Sequence, residues 1–307
     1  MNILIVETSP INKNANVTVH IRNAMTLTAY LKQSHNCRLV SREEDIEDVN
    51  EQFDYIIYIS ATFYFQCQRY VQLMDNQKNC KIGWLTNEFE LFANDFLRNR
   101  IDFIIANFEE WGVKSAHKHN KFLMTNLNAL SVRMPFPPTE KKYDVCYYGT
   151  YRKYRIPYFK KYFVEDMVLS TSSKNIKKFQ ILGCNCWLVD GTFSWAVGEE
   201  TLNLFRASLY IEDTKTHKLF NHLANRFFEG LYCNCAVFFD KSCRNSIKKD
   251  VFQIPETFIV DSYDELMDKV QNMDQQEVDN FIQVNSKIAM EAKEGMLKEI
   301  EKFLLDY

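Results

Sequence analysis

An apolar strand in the middle of the chain runs directly into residues suited to binding an anion. The segment Asp144–Arg155 reads DVCYYGTYRKYR, so a glycine, a hydroxyl residue and two arginines follow the apolar run. Gly149 would let the backbone approach a ligand closely, and Thr150 offers a hydroxyl group near a possible helix start, where anions bind. Arg152 and Arg155 supply fixed positive charge that suits a diphosphate. The alternative is a solvated basic face that follows a strand.

A second motif places a base and an acid about one helical turn apart. The segment Asn225–Gly230 reads NRFFEG, and its Arg226 and Glu229 are three residues apart, so they would share one face of a helix. A carboxylate there can accept both hydroxyl groups of a ribose, as an acidic residue does in dinucleotide-binding folds, and the arginine can reach a phosphate. The alternative is an ordinary salt bridge between residues i and i+3.

Polar residues also follow a predicted strand in the first half of the chain. The segment Trp84–Glu90 reads WLTNEFE and places Asn87, Glu88 and Glu90 after that strand, in an aromatic setting. Ligands of open α/β sheets bind at the carboxyl edge, and a partly buried carboxylate there could act as a general base toward a hydroxyl group. The alternative is helix capping, with Asn87 as the N-cap and the two glutamates in the first turn.

The cysteines and histidines give little indication of a metal site. The chain has nine cysteines, and four of them form two C-x-C pairs, Cys184/Cys186 and Cys233/Cys235. Zinc sites usually use C-x-x-C or wider pairs. We expect these thiols to be buried inside β segments of a protein from a reducing compartment. The chain contains no P-loop, G-x-G-x-x-G, G-x-S-x-G or H-E-x-x-H motif, and we predict no dedicated metal cage.

The elements that would position these residues alternate between strands and helices. In the first half we expect strands at Asn2–Val6, Cys37–Val40, Phe53–Ser60, Lys81–Thr86 and Phe103–Ala106, and helices at Ile21–Leu31 and Gln66–Met74. Such alternation is typical of a doubly wound parallel sheet. Half of the six prolines lie in the segment Arg133–Lys142, which predicts an extended linker between two sheets.

The same alternation restarts after the linker. We expect strands at Tyr143–Tyr148, Phe179–Gly183, Ser208–Glu212, Ala236–Phe239 and Ile259–Val260, and helices at Ile156–Phe163, Thr201–Ala207, Leu219–Leu231, Asp261–Val270 and Val278–Leu305. The sequence therefore predicts two α/β domains, residues 1–134 and 135–285. A C-terminal helix, residues 286–307, is long enough to cross back onto the first domain.

Composition favours a globular protein. Hydrophobic residues make up 46% of the chain, with 24 Phe and 16 Tyr, which argues against a long disordered tail. The formal net charge of -3 does not indicate nucleic acid as a partner, although local patches can still bind it. The first residues lack the features of a signal peptide, and no apolar run approaches the roughly 20 residues that span a membrane. We expect a cytoplasmic protein with no membrane partner.

The order of the motifs resembles that of the GT-B glycosyltransferases, and within them the bacteriophage DNA β-glucosyltransferases. A strand–Gly–Thr–x–Arg motif opens the second half, and an Arg-x-x-Glu helix followed by a strand comes later. The resemblance covers the start of the second half and about residues 201–270. It implies two Rossmann-like doubly wound domains facing a central cleft. It also implies transfer of glucose from UDP-glucose to 5-hydroxymethylcytosine in duplex DNA, in the host cell cytoplasm if the protein is phage-encoded.

The resemblance also implies roles for individual residues of the donor site. The diphosphate would be held by the glycine–threonine–arginine motif and a slightly displaced second arginine, the ribose by the glutamate of Arg-x-x-Glu, and the uracil by backbone in the segment Ala196–Glu200. The implied donor-binding residues are Gly149, Thr150, Arg152, Arg155, Gly198, Arg226 and Glu229.

The implied catalytic position departs from the family pattern. The family's base is an aspartate in a strand–Thr–Asp turn, whereas here Thr86 is followed by Asn87, and an amide cannot accept the proton. Either Glu88 or Glu90 takes the role, or the chain is not catalytic in the same way. With one base and no clear second nucleophile, we expect an inverting reaction. The acceptor could also be 5-hydroxymethyluracil, or a sugar already attached to a base.

The resemblance implies duplex DNA and a nucleotide sugar as partners of a monomeric protein. A modified base in a duplex must be flipped out to be reached, and the aromatic run Phe63–Phe65 offers stacking surface, with core packing as its alternative. A divalent ion could bind through the diphosphate. Rival interpretations are a GT-B enzyme with a saccharide or protein acceptor, and a sensor that binds the nucleotide sugar without turning it over. The lysines expected to contact phosphates are Lys114, Lys118, Lys121, Lys153 and Lys161.

Overall fold

The chain divides into two α/β units, each built around its own parallel sheet. The computed structural model describes residues 1–7, 19–41, 46, 49–59, 68–86, 100–107, 121–164, 166–190, 199–212 and 222–307. The first unit comprises residues 1–131 together with 292–307, and the second comprises residues 132–291. The C-terminal residues are therefore part of the first unit, although they follow the second unit in sequence.

The first unit contains a six-stranded parallel sheet in the order β2-β1-β3-β4-β5-β6. Three of its strands, β1, β3 and β5, are apolar runs that are buried along almost their whole length, as expected for the interior of a parallel sheet. The strands are β1 Asn2–Glu7, β2 Asn36–Val40, β3 Tyr55–Ile59, β4 Lys81–Thr86, β5 Phe103–Ala106 and β6 Lys121–Met124.

Helices α1 (Val19–Leu31) and α2 (Gln68–Asn76) belong to the same unit. The end of the last helix, α9 (Gln275–Leu305), also packs there. The hydroxyl of Tyr55 donates to the carbonyl of Leu304 at 2.8 Å, and the ring of Tyr307 lies 5.4 Å from the ring of Phe103, centroid to centroid. These contacts attach the C-terminal residues to the first sheet.

The second unit contains another six-stranded parallel sheet, in the order β12-β11-β10-β7-β8-β9. Its strands are β7 Tyr143–Tyr148, β8 Val168–Thr171, β9 Trp187–Asp190, β10 Phe205–Tyr210, β11 Ala236–Asp240 and β12 Ile259–Val260. Its helices are α3 Ile156–Tyr162, α4 Ser173–Leu182, α5 Glu199–Leu202, α6 Asn225–Tyr232, α7 Arg244–Ile247 and α8 Tyr263–Asn272, followed by most of α9.

Strand order reverses between β7 and β10 in this second sheet. From β7 the chain proceeds outward through β8 and β9, and then returns to place β10 on the other side of β7. Open parallel sheets bind their ligands at the carboxyl ends of strands on either side of such a reversal, because the two following connections diverge there and leave a crevice. The residues that follow Tyr148 and Tyr210 therefore occupy the position where a ligand is expected.

The proline-rich linker is attached to the second unit by hydrogen bonds. The side-chain amide of Asn234 donates to the carbonyl of Phe136, and that of Asn203 donates to the carbonyl of Pro137 at 3.2 Å. Lys141 Nζ donates to the carbonyls of Asn203 at 2.9 Å and Asn234 at 2.6 Å. The predicted extended segment is thus fixed along the amino edge of the second sheet.

Three predicted elements of the second half were wrong in type or extent. The apolar run at Phe179–Gly183 is the end of helix α4, and Gly183 adopts φ 78° just after it, as C-terminal glycines of helices do. A short apolar run fits a strand and a helix equally well, which explains the error. The predicted helix Thr201–Ala207 stops at Leu202 because strand β10 begins at Phe205, and helix α6 begins only at Asn225.

The paired cysteines lie in turns, contrary to the prediction that they lie inside strands. Cys184 and Cys186 are partly exposed in the turn between α4 and β9, and burial raises the pKa of the Cys186 thiol to about 12. Cys233 and Cys235 are buried on either side of Asn234, whose φ of 49° makes the sharp turn between α6 and β11.

Among the helices in the described ranges, none combines the length and the apolar character needed to span a membrane.

Candidate functional site

Gly149 lies at the carboxyl end of β7, on the β7 side of the strand-order reversal. Its φ of 148° is a conformation that residues with a side chain rarely adopt. The neighbouring strand β8 holds it on two sides, since its N–H donates to the carbonyl of Ser170 at 3.1 Å and its carbonyl accepts from Thr171 Oγ1 at 2.7 Å. The backbone here is thus fixed in a form that leaves its surface open to a ligand.

Arg226 faces Gly149 from the first turn of helix α6. Its Nη2 donates to the carbonyl of Ile211 at 3.1 Å and to the carboxylate of Glu212. Its Nη1 lies 3.5 Å from the point that a Cβ atom on Gly149 would occupy. None of the residues that the structure describes accepts a hydrogen bond from Nη1. One edge of the guanidinium is therefore held by the protein, and the other faces the open backbone of Gly149.

Two tyrosine rings lie close to the guanidinium of Arg226. Its Cζ lies 5.7 Å from the ring centroid of Tyr147 and 5.5 Å from that of Tyr210, within the range of cation–π attraction. The hydroxyl of Tyr210 also accepts a hydrogen bond at 2.8 Å from the N–H of Ala224, the residue before α6. Tyr210 thus fixes both the start of the helix and the side chain that the helix presents.

Glu212 joins the two arginines of the site. It lies two residues after the end of β10, on the other side of the reversal, and only 3% of its surface is exposed. One carboxylate oxygen accepts from Arg226 and the other from Arg155, whose own exposure is 5%. Arg155 also donates to the hydroxyl of Tyr147 at 3.2 Å. The structure therefore turns Arg155 inward onto Glu212, whereas the sequence predicted that it would face a diphosphate.

Aromatic packing beneath the site fixes the position of Tyr147. The rings of Phe159 and Phe163 stack with centroids 4.9 Å apart, and Phe179 meets Phe159 edge-on, also at 4.9 Å. Tyr147 packs against Phe163 at 5.0 Å. This cluster brings together α3, α4 and strand β7, which Gly149 follows, so the position of the site depends on the core of the unit.

Both arginines remain charged in this setting. Burial by itself would lower the pKa of Arg226, but the adjacent Glu212 raises it above its ordinary value. Burial also opposes the charge on Arg155, and the contacts with Tyr147 and Glu212 more than offset it, so its pKa is raised as well. The three side chains carry two positive charges and one negative charge, and this excess of positive charge favours an anionic ligand.

Glu229 lies on helix α6, one turn after Arg226, and contacts Tyr148 at the end of β7. It is 2% exposed and hydrogen-bonded to the side chain of Tyr148. Burial, with the charge of Glu229 next to it, raises the pKa of Tyr148 well above its usual range, so the hydroxyl stays protonated. The expected alternative, a salt bridge between Arg226 and Glu229, is wrong, because Arg226 pairs with Glu212. Contact of Glu229 with a ribose remains a prediction.

The residues after Gly149 are exposed at the rim of the site. Thr150, Arg152 and Lys153 have exposed side chains, and the guanidinium of Arg152 makes no hydrogen bond with any residue in the described part of the chain. Tyr154, beside them, is 74% exposed. These residues are free to contact a ligand or a partner that approaches the carboxyl edge of the second sheet.

A lysine-bearing helix begins beside the same edge. Helix α4 starts just after Thr171, the residue that hydrogen-bonds the Gly149 carbonyl, and has no acidic residue in its sequence SKNIKKFQIL. Its Lys174, Lys177 and Lys178 are exposed, and Lys178 Nζ lies 5.7 Å from the ring centroid of Tyr151. We call these three residues the α4 lysines. No single sequence motif contains them, so they were not among the predicted contacts to phosphates.

Two of the lysines predicted to contact phosphates have other partners. Lys161 Nζ donates to Asp240 at 2.9 Å and to Asp261, so it takes part in ion pairs within the second unit. Lys121 lies at the start of β6, the amino edge of the first sheet, where it donates to the carbonyl of Asp306 at 3.3 Å and covers the ring of Tyr307. Lys161 is therefore neutralised by acids at or just after the ends of β11 and β12, and Lys121 lies at the amino edge, away from the proposed site.

Several predicted residues lie outside the described part of the chain. They are Asn87, Glu88, Glu90, Gly198, Lys114, Lys118 and the run Phe63–Phe65. At the carboxyl edge of the first sheet, the described residues include Glu7, Thr86 and Asn107, which are all buried. Glu7 ends β1, beside the reversal of strand order between β1 and β3, and is a carboxylate that the sequence analysis did not consider.

The described residues offer no ready-made metal cage. Within the described ranges, no group of three or more His, Cys, Asp or Glu side chains is placed to hold a metal ion. The two carboxylates of the second-unit site already have partners, Glu212 in two arginines and Glu229 in Tyr148. These side chains do not fit a protein-held cation.

Comparison with known proteins identifies the fold. No protein-family model and no curated protein matches the sequence. The T4 phage BGT in complex with UDP and Mn2+ is 16% identical, with a TM-score of 0.72 over 99% of both chains. The fold is GT-B. At this low identity the likeness shows the fold and nothing further, and it confirms the predicted α/β class with two parallel sheets.

Two further solved structures share the GT-B fold of this chain. A DNA-modifying enzyme, β-glucosyltransferase, studied in the presence and absence of the substrate uridine diphosphoglucose, is 15% identical with a TM-score of 0.69 over 100% of both chains. An α-glucosyltransferase in complex with UDP and a 13-mer DNA containing a HMU base is 12% identical with a TM-score of 0.71 over 99% of both chains.

Glu212, Tyr147 and Thr171 are part of the site but were not predicted from the sequence. Glu212 carried a usable signal, because it is an acid at the end of a predicted apolar strand, and the carboxyl edge is where parallel sheets place functional groups. Tyr147 and Thr171 carried none, since a tyrosine within a strand and a threonine at a strand end are common. Their roles depend on β8 and β10 lying on either side of β7.

Proposed function

We propose that this protein is a glycosyltransferase that moves a sugar from a UDP-sugar to the hydroxymethyl group of a modified pyrimidine in duplex DNA. UDP-glucose is the first donor to test. The observation that carries the proposal is the guanidinium of Arg226, which is held on one edge by Glu212 and Ile211 and faces the open backbone of Gly149 with the other. The likeness to glucosyltransferases solved with UDP and with DNA supports it.

In the proposed donor complex, the diphosphate lies between Gly149 and Arg226. Backbone at Gly149 and Thr150 would approach the phosphate oxygens, Arg226 Nη1 would donate to them, and the exposed Arg152 would close over them from the rim. These groups offset the charge that develops on the diphosphate as it leaves, which is the main way that such a site can accelerate the reaction. Glu229 would accept from the ribose hydroxyls, and backbone near Gly198 would hold the uracil.

In the proposed reaction, a carboxylate removes the proton of the acceptor hydroxyl. The hydroxyl oxygen forms a bond to the anomeric carbon as the bond from that carbon to the diphosphate oxygen breaks, and UDP leaves with the electron pair. A single displacement of this kind inverts the anomeric configuration. Glu88 and Glu90 are the proposed bases, and Glu7 should be compared with them because it is a carboxylate at the carboxyl end of β1.

The proposed DNA partner is consistent with the charge beside the site. The α4 lysines and Lys153 are exposed near the carboxyl edge of the second sheet, with no acidic residue on helix α4. Contacts between such lysines and phosphates release counterions, so binding should weaken as salt is added. The target base would be flipped out of the duplex to reach the donor, because a stacked base is out of reach.

A divalent cation is optional in this proposal. The T4 phage BGT structure contains Mn2+ together with UDP. In the present chain a cation would be held by diphosphate oxygens, because the described carboxylates of the site are engaged with arginines and a tyrosine. No step of the proposed reaction passes through it.

The test is transfer of radiolabelled glucose from UDP-glucose to three duplex DNAs: unmodified, hydroxymethylcytosine-containing and hydroxymethyluracil-containing. We expect label in modified DNA alone, and the base that is labelled identifies the acceptor. The Asn87 departure makes a sensor the second candidate. If UDP-glucose binds and no DNA or saccharide acceptor is ever labelled, the enzyme proposal is contradicted and the sensor is favoured.

A further inference from the structure

Glu212 places a negative charge directly behind the arginine that we propose to bind a diphosphate. It is almost fully buried, and its two carboxylate oxygens are divided between Arg226 and Arg155. A site intended only to hold an anion as tightly as possible would not bury a carboxylate against its own arginine, because like charges repel strongly at short range away from water. The buried carboxylate of Glu212 therefore reduces the attraction of Arg226 for an anionic ligand.

We propose that Glu212 is a built-in counter-ion that weakens the grip of Arg226 on the diphosphate, so that the product nucleotide can leave. This inference rests on the proposed function. UDP-sugar and UDP carry the same diphosphate group, so a site that binds one too tightly also retains the other. Release of product limits the turnover of many enzymes. We call Arg155, Glu212 and Arg226 the charged triad. By reducing the excess positive charge of this triad, Glu212 lowers the affinity for both nucleotides.

The same geometry assigns an opposing role to Arg155. It lies on the far side of Glu212, is nearly buried, and donates to Tyr147. It offsets part of the negative charge of Glu212, which would otherwise act on Arg226 alone. Arg155 is thus a positioning residue that acts through Glu212, and Arg226 is the residue that touches the ligand.

Substitution of the two residues should therefore change affinity in opposite directions. Glu212→Gln removes the negative charge and leaves two buried arginines that an anionic ligand can neutralise, so UDP should bind about tenfold more tightly. Arg155→Gln leaves Glu212 to cancel Arg226, so UDP should bind about tenfold more weakly. If either residue mattered only for folding of the site, both substitutions would weaken binding.

The experiment is isothermal titration of the wild type and the two variants with UDP, inorganic pyrophosphate and uridine. Pyrophosphate probes the triad without the nucleoside, and uridine, which lacks the charge, should bind equally well to all three proteins. Glu256→Gln and Arg244→Gln are matched controls, since they change charge by the same amounts at an exposed ion pair of the same unit. Neither control should alter affinity for UDP.

The double variant Arg155→Gln with Glu212→Gln covers the possibility that Glu212→Gln alone does not fold. It has the same excess of positive charge as the wild type, so it should regain the affinity that Arg155→Gln loses. Steady-state kinetics give a second measurement: Glu212→Gln should lower both KM for the UDP-sugar and kcat, because binding tightens while release slows.

Tighter binding by Glu212→Gln, or recovery in the double variant, together with weaker binding by Arg155→Gln, supports the inference. Unchanged or weaker binding by Glu212→Gln, or a double variant no better than Arg155→Gln, overturns it. A wild type that binds pyrophosphate and not UDP contradicts the proposed function while the comparison of variants still tests the triad. A wild type that binds neither overturns both.

Discussion

Arg226 and Gly149 meet at the carboxyl edge of the second sheet, with Arg226 Nη1 3.5 Å from the position that a Cβ atom at residue 149 would take. The two residues come from motifs far apart in sequence. They meet because β10, whose end anchors Arg226, lies beside β7, which Gly149 directly follows. A side chain at residue 149 would occupy the space between the arginine and the backbone. This contact is the basis of the donor site that we propose.

Gly149→Ala should reduce both stability and affinity for UDP. Alanine at φ 148° is strained, which should cost about 1–3 kcal/mol of unfolding free energy, and the added methyl would crowd Tyr147 and Arg226. Gly183→Ala is the control, because Gly183 also has a positive φ, of 78°, with no atom within 4 Å of its Cβ position. Urea unfolding should show a loss for both variants, and titration with UDP a loss for Gly149→Ala alone. Normal UDP binding by Gly149→Ala would contradict the proposed site.

Glu229→Gln should remove discrimination between UDP and 2′-deoxy-UDP. If the Glu229 carboxylate accepts from ribose hydroxyls, the wild type should prefer UDP by about tenfold, a typical value for one charge-assisted hydrogen bond. Tyr148→Phe is the matched control, since it removes the present partner of Glu229 and keeps the carboxylate, so the preference should survive. An unchanged preference in Glu229→Gln would show that the ribose is held elsewhere.

Two glycine-to-alanine substitutions in helices should have opposite effects on stability. At Gly230 of α6 a Cβ would lie 2.3 Å from a Val237 methyl, so alanine should destabilise the unit by about 1–3 kcal/mol through overpacking. At Gly295 of α9 no atom lies within 4 Å, and alanine should stabilise the protein by up to about 1 kcal/mol. Urea unfolding of both variants tests this. A Gly230→Ala variant as stable as the wild type would mean that α6 does not pack closely on β11.

Asp240 should contribute to stability at neutral pH and lose that contribution in acid. Burial would raise the pKa of Asp240, but hydrogen bonds from Lys161, Ser242 and Tyr162 hold it below its ordinary value. A carboxyl with a depressed pKa in the folded state stabilises above its unfolded pKa of about 3.9, and the effect disappears as pH falls through the folded pKa. Asp240→Asn should therefore cost about 3 kcal/mol at pH 7, as for loss of one partner of a buried ion pair.

The measurement for Asp240 is urea unfolding of wild type and variant between pH 7 and pH 3. The difference in unfolding free energy should stay constant down to about pH 4 and narrow below it. Asp261→Asn serves as the control, because Asp261 pairs with Lys161 and Lys241 at the surface and should matter little. A difference that is the same at pH 3 as at pH 7 would mean that the charge of Asp240 is not what stabilises the fold.

The strands buried on both faces could be predicted from sequence, because β-branched and aromatic runs such as Tyr55–Ile59 and Ala236–Asp240 have few other structures open to them. Short or half-exposed strands could not. Strand β9 exposes Trp187 at 70% and Val189 at 41%, so its sequence lacks the pattern of a buried strand. Strand β8 is only four residues long and ends in Ser170 and Thr171, which read as a turn.

The candidate site could be predicted in part for a similar reason. The order of the Gly149 and Arg226 motifs along the chain matched one fold, and that fold places both at one sheet edge. The partner of Arg155 could not be predicted, because Glu212 is 57 residues away and comes near only when β10 pairs with β7. Residue type alone does not distinguish Arg155 from Arg226. The order of the strands decides that Arg226 faces the proposed ligand position and that Arg155 faces a carboxylate.

The measurement that tests the central claim most directly is calorimetric titration of UDP into the wild type and Arg226→Gln, with Arg244→Gln as the control. Arg244 forms an exposed ion pair with Glu256 in the same unit, so its loss changes net charge without touching the site. We expect the wild type and Arg244→Gln to bind UDP alike, and Arg226→Gln to bind it about tenfold to a hundredfold more weakly, as for loss of a charge-assisted contact. A wild type that does not bind UDP, or an Arg226→Gln variant that binds it equally well, would contradict the account.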